Sequence, residues 1–289
     1  MKIGMPEYEI SYVGDPVGLE INTRGLNPVS DVIEKISGIV SYNSTKGIWT
    51  TIIDTASFDS VDEIIESFAV DSFDTSLLSV KSSYGLYFYI SRDYYLGSQS
   101  ELVVEKTKSF LTFLSHILER FSINSGIVCR IGSAYGNRKK TMSSFLREYK
   151  SLPDFVRSKI ILTNDDRPSL FSVKDLLSEV CLENNIPISF RSLSHYFNSG
   201  SLFHGDALKL SCSTWPKGRI PLIIHSESKS FNSDGIPESR NPSDYLSYRI
   251  PTFGMNVCVA IDSGYKELSC LKYLADYKSL GPVVINRIK

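Results

Sequence analysis

Long apolar runs are missing from this sequence of 289 residues. No run approaches the roughly 18 residues that a membrane-spanning helix needs. Residues 1–10 also lack the charged and apolar segments of a secretory signal peptide. We therefore expect no membrane partner and an intracellular location.

Cysteine pairs at metal-binding spacing are missing as well. The sequence contains no CxxC pair, and its five cysteines follow no regular spacing: Cys129, Cys181, Cys212, Cys258 and Cys270. This pattern excludes a zinc finger. Because most of these residues lie in apolar or helix-like segments, we expect buried, reduced thiols and a reducing compartment, the cytoplasm or the nucleus or nucleoid.

The chain has no excess of charge of either sign. Its 31 Lys and Arg residues against 32 Asp and Glu residues give a formal net charge of −1. Bulk charge therefore does not favour non-specific binding of nucleic acid, but a local basic groove remains compatible with it.

What the sequence does contain is a regular alternation of short apolar runs and amphipathic segments. Eight runs read as strands, at residues 2–6, 48–53, 86–90, 127–131, 159–162, 186–190, 220–224 and 256–261. Helix-like segments separate most of them, and no linker or repeat interrupts the series. The pattern predicts an α/β fold, a (β/α)8 TIM barrel forming one domain over residues 1–289, with an open doubly wound sheet as the alternative.

Polar residues follow several of these predicted strands. In parallel α/β folds the carboxyl ends of the strands carry function. Residues 132–136 and 163–166 occupy such positions, as do Arg191, His225 and Asp262. A long polar loop from residue 226 to residue 245 suggests a flexible lid or a contact loop.

The residues in these loops resemble motifs of the UV-damage endonuclease family, a TIM-barrel group related to apurinic endonucleases and xylose isomerases. The similar segments are scattered over nearly the whole chain: GMP at Gly4, NTRGL at Asn22, Tyr95, IGSAYG at Ile131, LTNDD at Leu162, RSLSHYFN at Arg191, STW at Ser213, IIHSES at Ile223, SDY at Ser243 and YKE at Tyr265. No single segment is specific, so the resemblance rests on their order and spacing.

The resemblance implies a cluster of divalent metals, usually manganese, that activates water to cut the phosphodiester bond 5′ to a photolesion. The positions of the family's ligands are altered here; they hold Ser91, Arg130, Thr163, Arg191, Ser194, Ile223, Pro242 and Asp262, and only His225 is an unchanged ligand type. A dication about 5 Å from one arginine is repelled by roughly 7 kcal/mol at an effective dielectric constant of ~20. We therefore predict no metal, no other cofactor and no catalytic residue.

Two groups of residues are candidates for a remaining role. Seven residues at the barrel mouth, near Asp54 and Asp93, are expected to form a polar network that replaces the metals or binds an anion: Arg130, Asn164, Asp165, Arg191, His195, His225 and Asp262. An acid–base role of His225 with Asp262 is a further alternative. Six aromatic and basic residues are candidates for DNA contacts: Tyr94, Tyr95, Tyr135, Arg138, Lys139 and Lys140.

These observations lead to a predicted pseudoenzyme of the UV-damage endonuclease family that binds DNA through a local basic groove or holds a protein partner as a scaffold. Two alternatives stay open at this point. The first is an active, metal-dependent repair endonuclease, and the second is a metal-free enzyme acting on a small phosphorylated ligand.

Overall fold

Parallel strands alternating with helices make up the chain in a computed structural model, which describes residues 6, 8–19, 28–58, 61–67, 84–90, 93–122, 124–134 and 136–282. The chain divides into two compact units. We call Gly18–Ile160 the central unit, and Met1–Val17 together with Ile161–Lys289 the terminal unit. The expectation of a single domain over residues 1–289 stays a prediction.

Among the residues that the structure describes, the central unit contains three parallel strands in the order β4-β3-β2. They are β2 (Thr50–Asp54), β3 (Gly85–Tyr89) and β4 (Gly126–Cys129). The helices of this unit are α1 (Pro28–Thr45), α2 (Val61–Ser67), α3 (Glu101–Leu118), α4 (Arg138–Ser151) and α5 (Asp154–Arg157). Every residue of β3 is buried, as expected for a strand covered on both faces.

In its described part, the terminal unit contains five parallel strands in the order β1-β8-β7-β6-β5. They are β1 (Glu9–Tyr12), β5 (Ile160–Thr163), β6 (Ile188–Arg191), β7 (Leu222–His225) and β8 (Cys258–Ile261). The first residue of β5, Ile160, is counted with the central unit. The helices are α6 (Val173–Leu176), α7 (Leu182–Asn184), α8 (Ser192–Phe197), α9 (His204–Ser213) and α10 (Lys266–Asp276). A π-helical turn, Leu177–Cys181, joins α6 to α7.

Seven of the eight predicted strands are confirmed within a few residues, but the first is not. Of the predicted strand at 2–6 only Pro6 is described, and it is not in a strand. The first strand in the described part of the chain is Glu9–Tyr12, which lies outside the eight predicted strands. It pairs with β8, with Tyr12 opposite Ile261. Four residues between Gly- and Pro-containing segments give too short a pattern for recognition, so pairing with a distant strand decides the conformation.

All five cysteines are buried and free, as predicted. Burial raises the pKa of the Cys129 thiol to about 12, so the group stays protonated at neutral pH. In the part of the chain that the structure describes, no helix combines the length and the apolar character needed to cross a membrane.

Candidate functional site

The carboxyl ends of β6 and β8 bring together two of the predicted network residues. Arg191 ends β6 and Asp262 follows β8, and the Arg191 Nη2 atom lies 2.5 Å from Asp262 Oδ2. The two side chains are 21% and 13% exposed, so most of each charge is removed from water. A carboxylate held by a guanidinium in this way has its charge neutralised.

Asn164, just past β5, fixes the backbone of the same arginine. Its side-chain Oδ1 accepts a hydrogen bond from the Arg191 backbone N–H at 2.8 Å, and its Nδ2 donates to the Arg191 carbonyl oxygen at 3.1 Å. The adjacent Asp165 is buried, and its backbone N–H donates to the Phe171 carbonyl oxygen at 2.9 Å. The structure therefore brings Asn164, Arg191 and Asp262 together, whereas it anchors Asp165 through its backbone.

The predicted histidines lie in an apolar and aromatic part of the terminal unit. His195 is on α8, and its ring centroid lies 5.6 Å from that of His204, at the start of α9. His225 ends β7 and meets the ring of Tyr248 edge-on at 5.9 Å. Burial lowers the pKa of His195 to about 4 and that of His225 to about 3. His204, with a pKa lowered by burial to about 3, was not singled out from the sequence.

The polar loop after β7 is held by specific contacts. Glu227 is buried, and its carboxylate accepts hydrogen bonds from the Ser247 backbone N–H at 2.7 Å and from the Ser247 hydroxyl at 2.5 Å. The Arg240 guanidinium lies 4.7 Å from the Phe197 ring centroid and 3.4 Å from an oxygen of Asp166. Sequence reasoning missed Glu227, although a charged residue two positions after a strand end was a usable signal.

Within this loop, residues 228–242 form a hairpin. Isolated antiparallel bridges join Ser228 to Pro242 and Phe231 to Pro237. The hairpin therefore has backbone order of its own, which the expectation of a flexible loop did not include. The role of a lid or a contact loop stays a prediction.

In the central unit, Arg130 and Asp54 have separate local roles. The Arg130 guanidinium lies 5.8 Å from the centroid of the Tyr89 ring. The Asp54 side chain accepts a hydrogen bond from the Ala56 N–H at 3.0 Å and so caps the 3₁₀ turn Thr55–Ser57.

The predicted DNA-contacting tyrosines differ in their surroundings. The Tyr94 ring packs on Phe110 of α3 at 5.2 Å. Burial, followed by the charges of Asp62 and Asp93, raises the pKa of Tyr94 to about 12. Tyr95 is half-buried. Tyr135 lies outside the described residues, as does Ser91.

The three basic candidates lie in the first turn of α4. Asn137 caps this helix, because its side-chain oxygen accepts a hydrogen bond from the Lys140 N–H at 3.0 Å. Lys139 and Lys140 are exposed and Arg138 is half-buried. Cations at a helix N-terminus oppose the helix dipole, so this arrangement lowers helix stability while concentrating positive potential.

The donor set of the described residues does not fit a cluster of divalent metals. Nowhere among residues that the structure describes do three or more His, Cys, Asp or Glu side chains group so as to hold a metal ion. Asp262 is engaged by Arg191, and a hard dication needs several oxygen or imidazole donors at once.

Comparison with known proteins decides the family. The model of the family described as UV-endonuclease UvdE matches residues 84–288. The chain belongs to this family. The UV-damage endonuclease of Schizosaccharomyces pombe is 27% identical over 199 residues, which cover 65% of this chain and 33% of that protein. The UV DNA damage endonuclease of Clostridium perfringens is 24% identical over 197 residues, covering 64% and 46%. This UvdE-family chain thus spans less than half the length of these two relatives.

Solved structures confirm the predicted fold. The crystal structure of SacUVDE superimposes with a TM-score of 0.73 at 19% identity, covering 94% of this chain and 98% of that one. Endonuclease IV from Thermus thermophilus gives a TM-score of 0.59 at 13% identity over 94% of this chain and 99% of that one. At these identities the likeness shows the fold alone. The predicted TIM barrel is confirmed, and the open doubly wound sheet is excluded.

Proposed function

We propose that this UvdE-family protein has lost metal-dependent catalysis and binds DNA as a non-catalytic subunit. Family membership supports an interaction with DNA, because the relatives it matches are named as endonucleases of UV-damaged DNA. The proposal covers residues 1–289 as one TIM-barrel domain and involves no metal or other cofactor.

The ion pair of Arg191 with Asp262 is the observation that carries the loss of catalysis. The resemblance of the loops to family motifs puts these two residues at ligand positions. With Nη2 and Oδ2 2.5 Å apart, the guanidinium occupies the place next to the carboxylate that a cation would take. A metal ion that displaced the guanidinium would break the ion pair, and the arginine would still repel the dication from nearby.

The first turn of α4 supports DNA binding. Arg138, Lys139 and Lys140 add positive charge where the N-terminal backbone N–H groups of α4 already favour anions. Phosphate groups relieve the repulsion among these cations and between them and the helix dipole. We assign Tyr95 and Tyr135 to base contacts. Tyr94 has the same assignment, but its packing on Phe110 means that insertion requires the ring to leave that contact.

An active endonuclease is the second candidate, because the family model matches 205 consecutive positions, residues 84–288. The discriminating experiment is purification in manganese, followed by metal analysis and a nicking assay on UV-irradiated plasmid. We expect less than one manganese ion per chain and no nicking, whereas a nuclease of this type needs about two ions. Two bound ions with lesion-dependent nicking would establish the endonuclease and refute our proposal.

A scaffold role for a protein partner follows from the same loss of catalysis. It is tested by purification from native extract: a stoichiometric protein partner together with the absence of a DNA gel shift would favour the scaffold over DNA binding.

A further inference from the structure

Three segments of the central unit meet at one side chain, that of Thr141 on α4. Thr141 is buried, and its hydroxyl oxygen lies 3.2 Å from the carbonyl oxygens of Ser133 and Ala134 and 3.3 Å from that of Asn137. The last contact belongs to the helix cap, whereas the first two reach the loop after β4. One hydroxyl donor, shared among these acceptors, therefore ties α4 to that loop.

The methyl group of Thr141 faces the turn that carries Tyr95. A Cβ built on Gly97 would lie 3.0 Å from Thr141 Cγ2 and 2.5 Å from the Ile131 carbonyl oxygen, so a glycine is needed for this close approach. The Gly97 backbone N–H donates to that same Ile131 oxygen at 3.1 Å. The Tyr95 carbonyl oxygen accepts a hydrogen bond from the Ser98 N–H at 3.3 Å, which closes the turn. The turn 95–98 is thus packed directly on α4 and on the loop after β4.

The Tyr95 side chain lies against the same loop. A Cβ built on Gly132 would be 3.4 Å from Tyr95 Cγ. Tyr95 and the first turn of α4 therefore share one support, which we call the Thr141 junction: Gly97, residues 131–134 and Thr141. By contrast, the Tyr94 ring packs on Phe110 of α3, so the two neighbouring tyrosines are attached to different elements.

We propose that Thr141 is a positioning residue, which holds the aromatic and the basic parts of the proposed DNA site together as one preformed unit. The inference rests on the proposed function, in which Tyr95 contacts a base and Lys139 contacts phosphate. In a preformed unit the ligand loses its freedom of motion once for both contacts, so each contact strengthens the other. The ligand that fits such a unit is a phosphate group together with a base of the same nucleic acid.

A double-mutant cycle on DNA affinity tests the coupling of the two contacts. Gel shifts with a UV-irradiated duplex oligonucleotide at fixed salt compare the unmodified protein, Tyr95→Ala, Lys139→Ala and the double variant. We expect the double variant to bind at least about threefold more tightly than the product of the two single losses predicts. Losses that simply multiply overturn the inference. This cycle needs no substitution at Thr141, so its outcome does not depend on whether a Thr141 variant folds.

Repeating the cycle in two Thr141 backgrounds tests the positioning residue itself. Thr141→Val has nearly the same shape but leaves the Ser133 and Ala134 carbonyl oxygens without this donor, so the coupling should disappear. Thr141→Ser keeps the hydroxyl and should restore the coupling. A purely structural role would lower the melting temperature of Thr141→Val and leave the coupling intact, and that result overturns the assignment.

Thr107→Val is the matched control. Thr107 is also a buried helical threonine, and its hydroxyl donates to the Val103 carbonyl oxygen of its own helix, α3, at 2.6 Å. We expect a lower melting temperature and the same coupling as in the unmodified protein. Loss of coupling in this background as well would mean that it reflects stability in general, and would overturn the role of Thr141.

A second cycle, with Tyr94→Ala in place of Tyr95→Ala, separates the two tyrosines. Because Tyr94 is attached to α3, its loss and that of Lys139 should multiply; coupling as strong as that of Tyr95 would overturn the assignment of the unit to Tyr95. The outcomes also distinguish this inference from the proposed function. An unmodified protein that shifts no DNA refutes both, whereas DNA binding with losses that multiply for Tyr95 and Lys139 refutes this inference alone.

Discussion

The terminal and central units use their polar residues in opposite ways. In the terminal unit, charged groups at or near the strand ends are paired within the protein. Arg191 forms an ion pair with Asp262, and Glu227 accepts a hydrogen bond from the Ser247 backbone N–H. In the central unit, Lys139 and Lys140 are exposed at the end of a helix where their charge is unfavourable. The first set serves folding, whereas the second has a cost in helix stability that a bound anion would offset.

The largest effect on stability is expected when the pH is lowered enough to protonate the buried histidines of the terminal unit. Their pKa values are lowered in the folded chain to about 4 for His195 and about 3 for His204 and His225, against an ordinary value of 6.5. Between pH 6.5 and about 4 the unfolded chain therefore binds more protons than the folded chain. The free energy of unfolding should therefore decrease as the pH is lowered, by about 1.4 kcal/mol per pH unit for each such histidine.

Urea unfolding at pH 7 and pH 5 checks this expectation. His195→Gln is the informative variant, because a side-chain amide can still donate to the Leu202 carbonyl oxygen that lies 3.2 Å from His195 Nε2. We expect the variant to lose about one third of the histidine contribution to the pH slope. A slope equal to that of the unmodified protein would mean that His195 is not a neutral buried group.

The next largest change in the free energy of unfolding is expected when the Arg191–Asp262 ion pair is broken. In Arg191→Met a mostly buried carboxylate loses its counter-charge, and we expect the free energy of unfolding to fall by about 2–4 kcal/mol. Asp262→Asn removes the charge on the other side, and the double variant should be less destabilised than the sum of the two. Chemical denaturation of all four proteins gives the coupling energy; additive effects would show that the ion pair contributes no net stability.

A smaller difference in stability is expected between the alanine variants of two glycines in the IGSAYG segment. Gly132 has φ +132°, and a Cβ added there would lie 3.1 Å from the Tyr95 Cβ. At Gly136, with φ +76°, an added Cβ meets nothing within 4 Å. Gly136→Ala should cost about 1 kcal/mol from backbone strain alone, and Gly132→Ala about 1 kcal/mol more from the contact with Tyr95. Thermal unfolding measures both; equal losses would contradict the close approach.

Prediction from sequence worked where local pattern decides structure. The predicted strand at residues 86–90 has a continuous apolar pattern, and β3 confirms it. Arg191 and Asp262 could be placed together because one ends and the other directly follows a strand of the same parallel sheet. By contrast, β1 owes its conformation to pairing with β8, which its four residues do not encode locally.

Parts of the candidate site were not predictable for a related reason. His204 belongs to the site only because α8 and α9 bring its ring against His195. Glu227 is buried because a residue 20 positions later supplies two donors. Tyr94, whose role as a DNA contact stays a prediction, packs its ring on Phe110 of α3, a contact that the sequence does not indicate. These contacts depend on how loops pack, and the periodicity of apolar residues in the sequence does not predict that packing.

The smallest effect on stability tests the exposed cations directly. Lys139→Ala removes a charge from the positive end of α4, so the free energy of unfolding should rise by about 0.3–1 kcal/mol. Lys150→Ala is the matched control, because Lys150 lies in the last turn of the same helix, where a cation is favourable. That variant should be destabilised by a similar amount.

DNA affinity should change in the opposite sense to stability. In gel shifts at several salt concentrations, Lys139→Ala should weaken binding and lower the slope of log K against log salt by about 0.9, the value for one phosphate contact. Lys150→Ala should leave both unchanged. If the two variants bind DNA with the same slope, the first turn of α4 does not contact phosphate, and its cations would need another explanation.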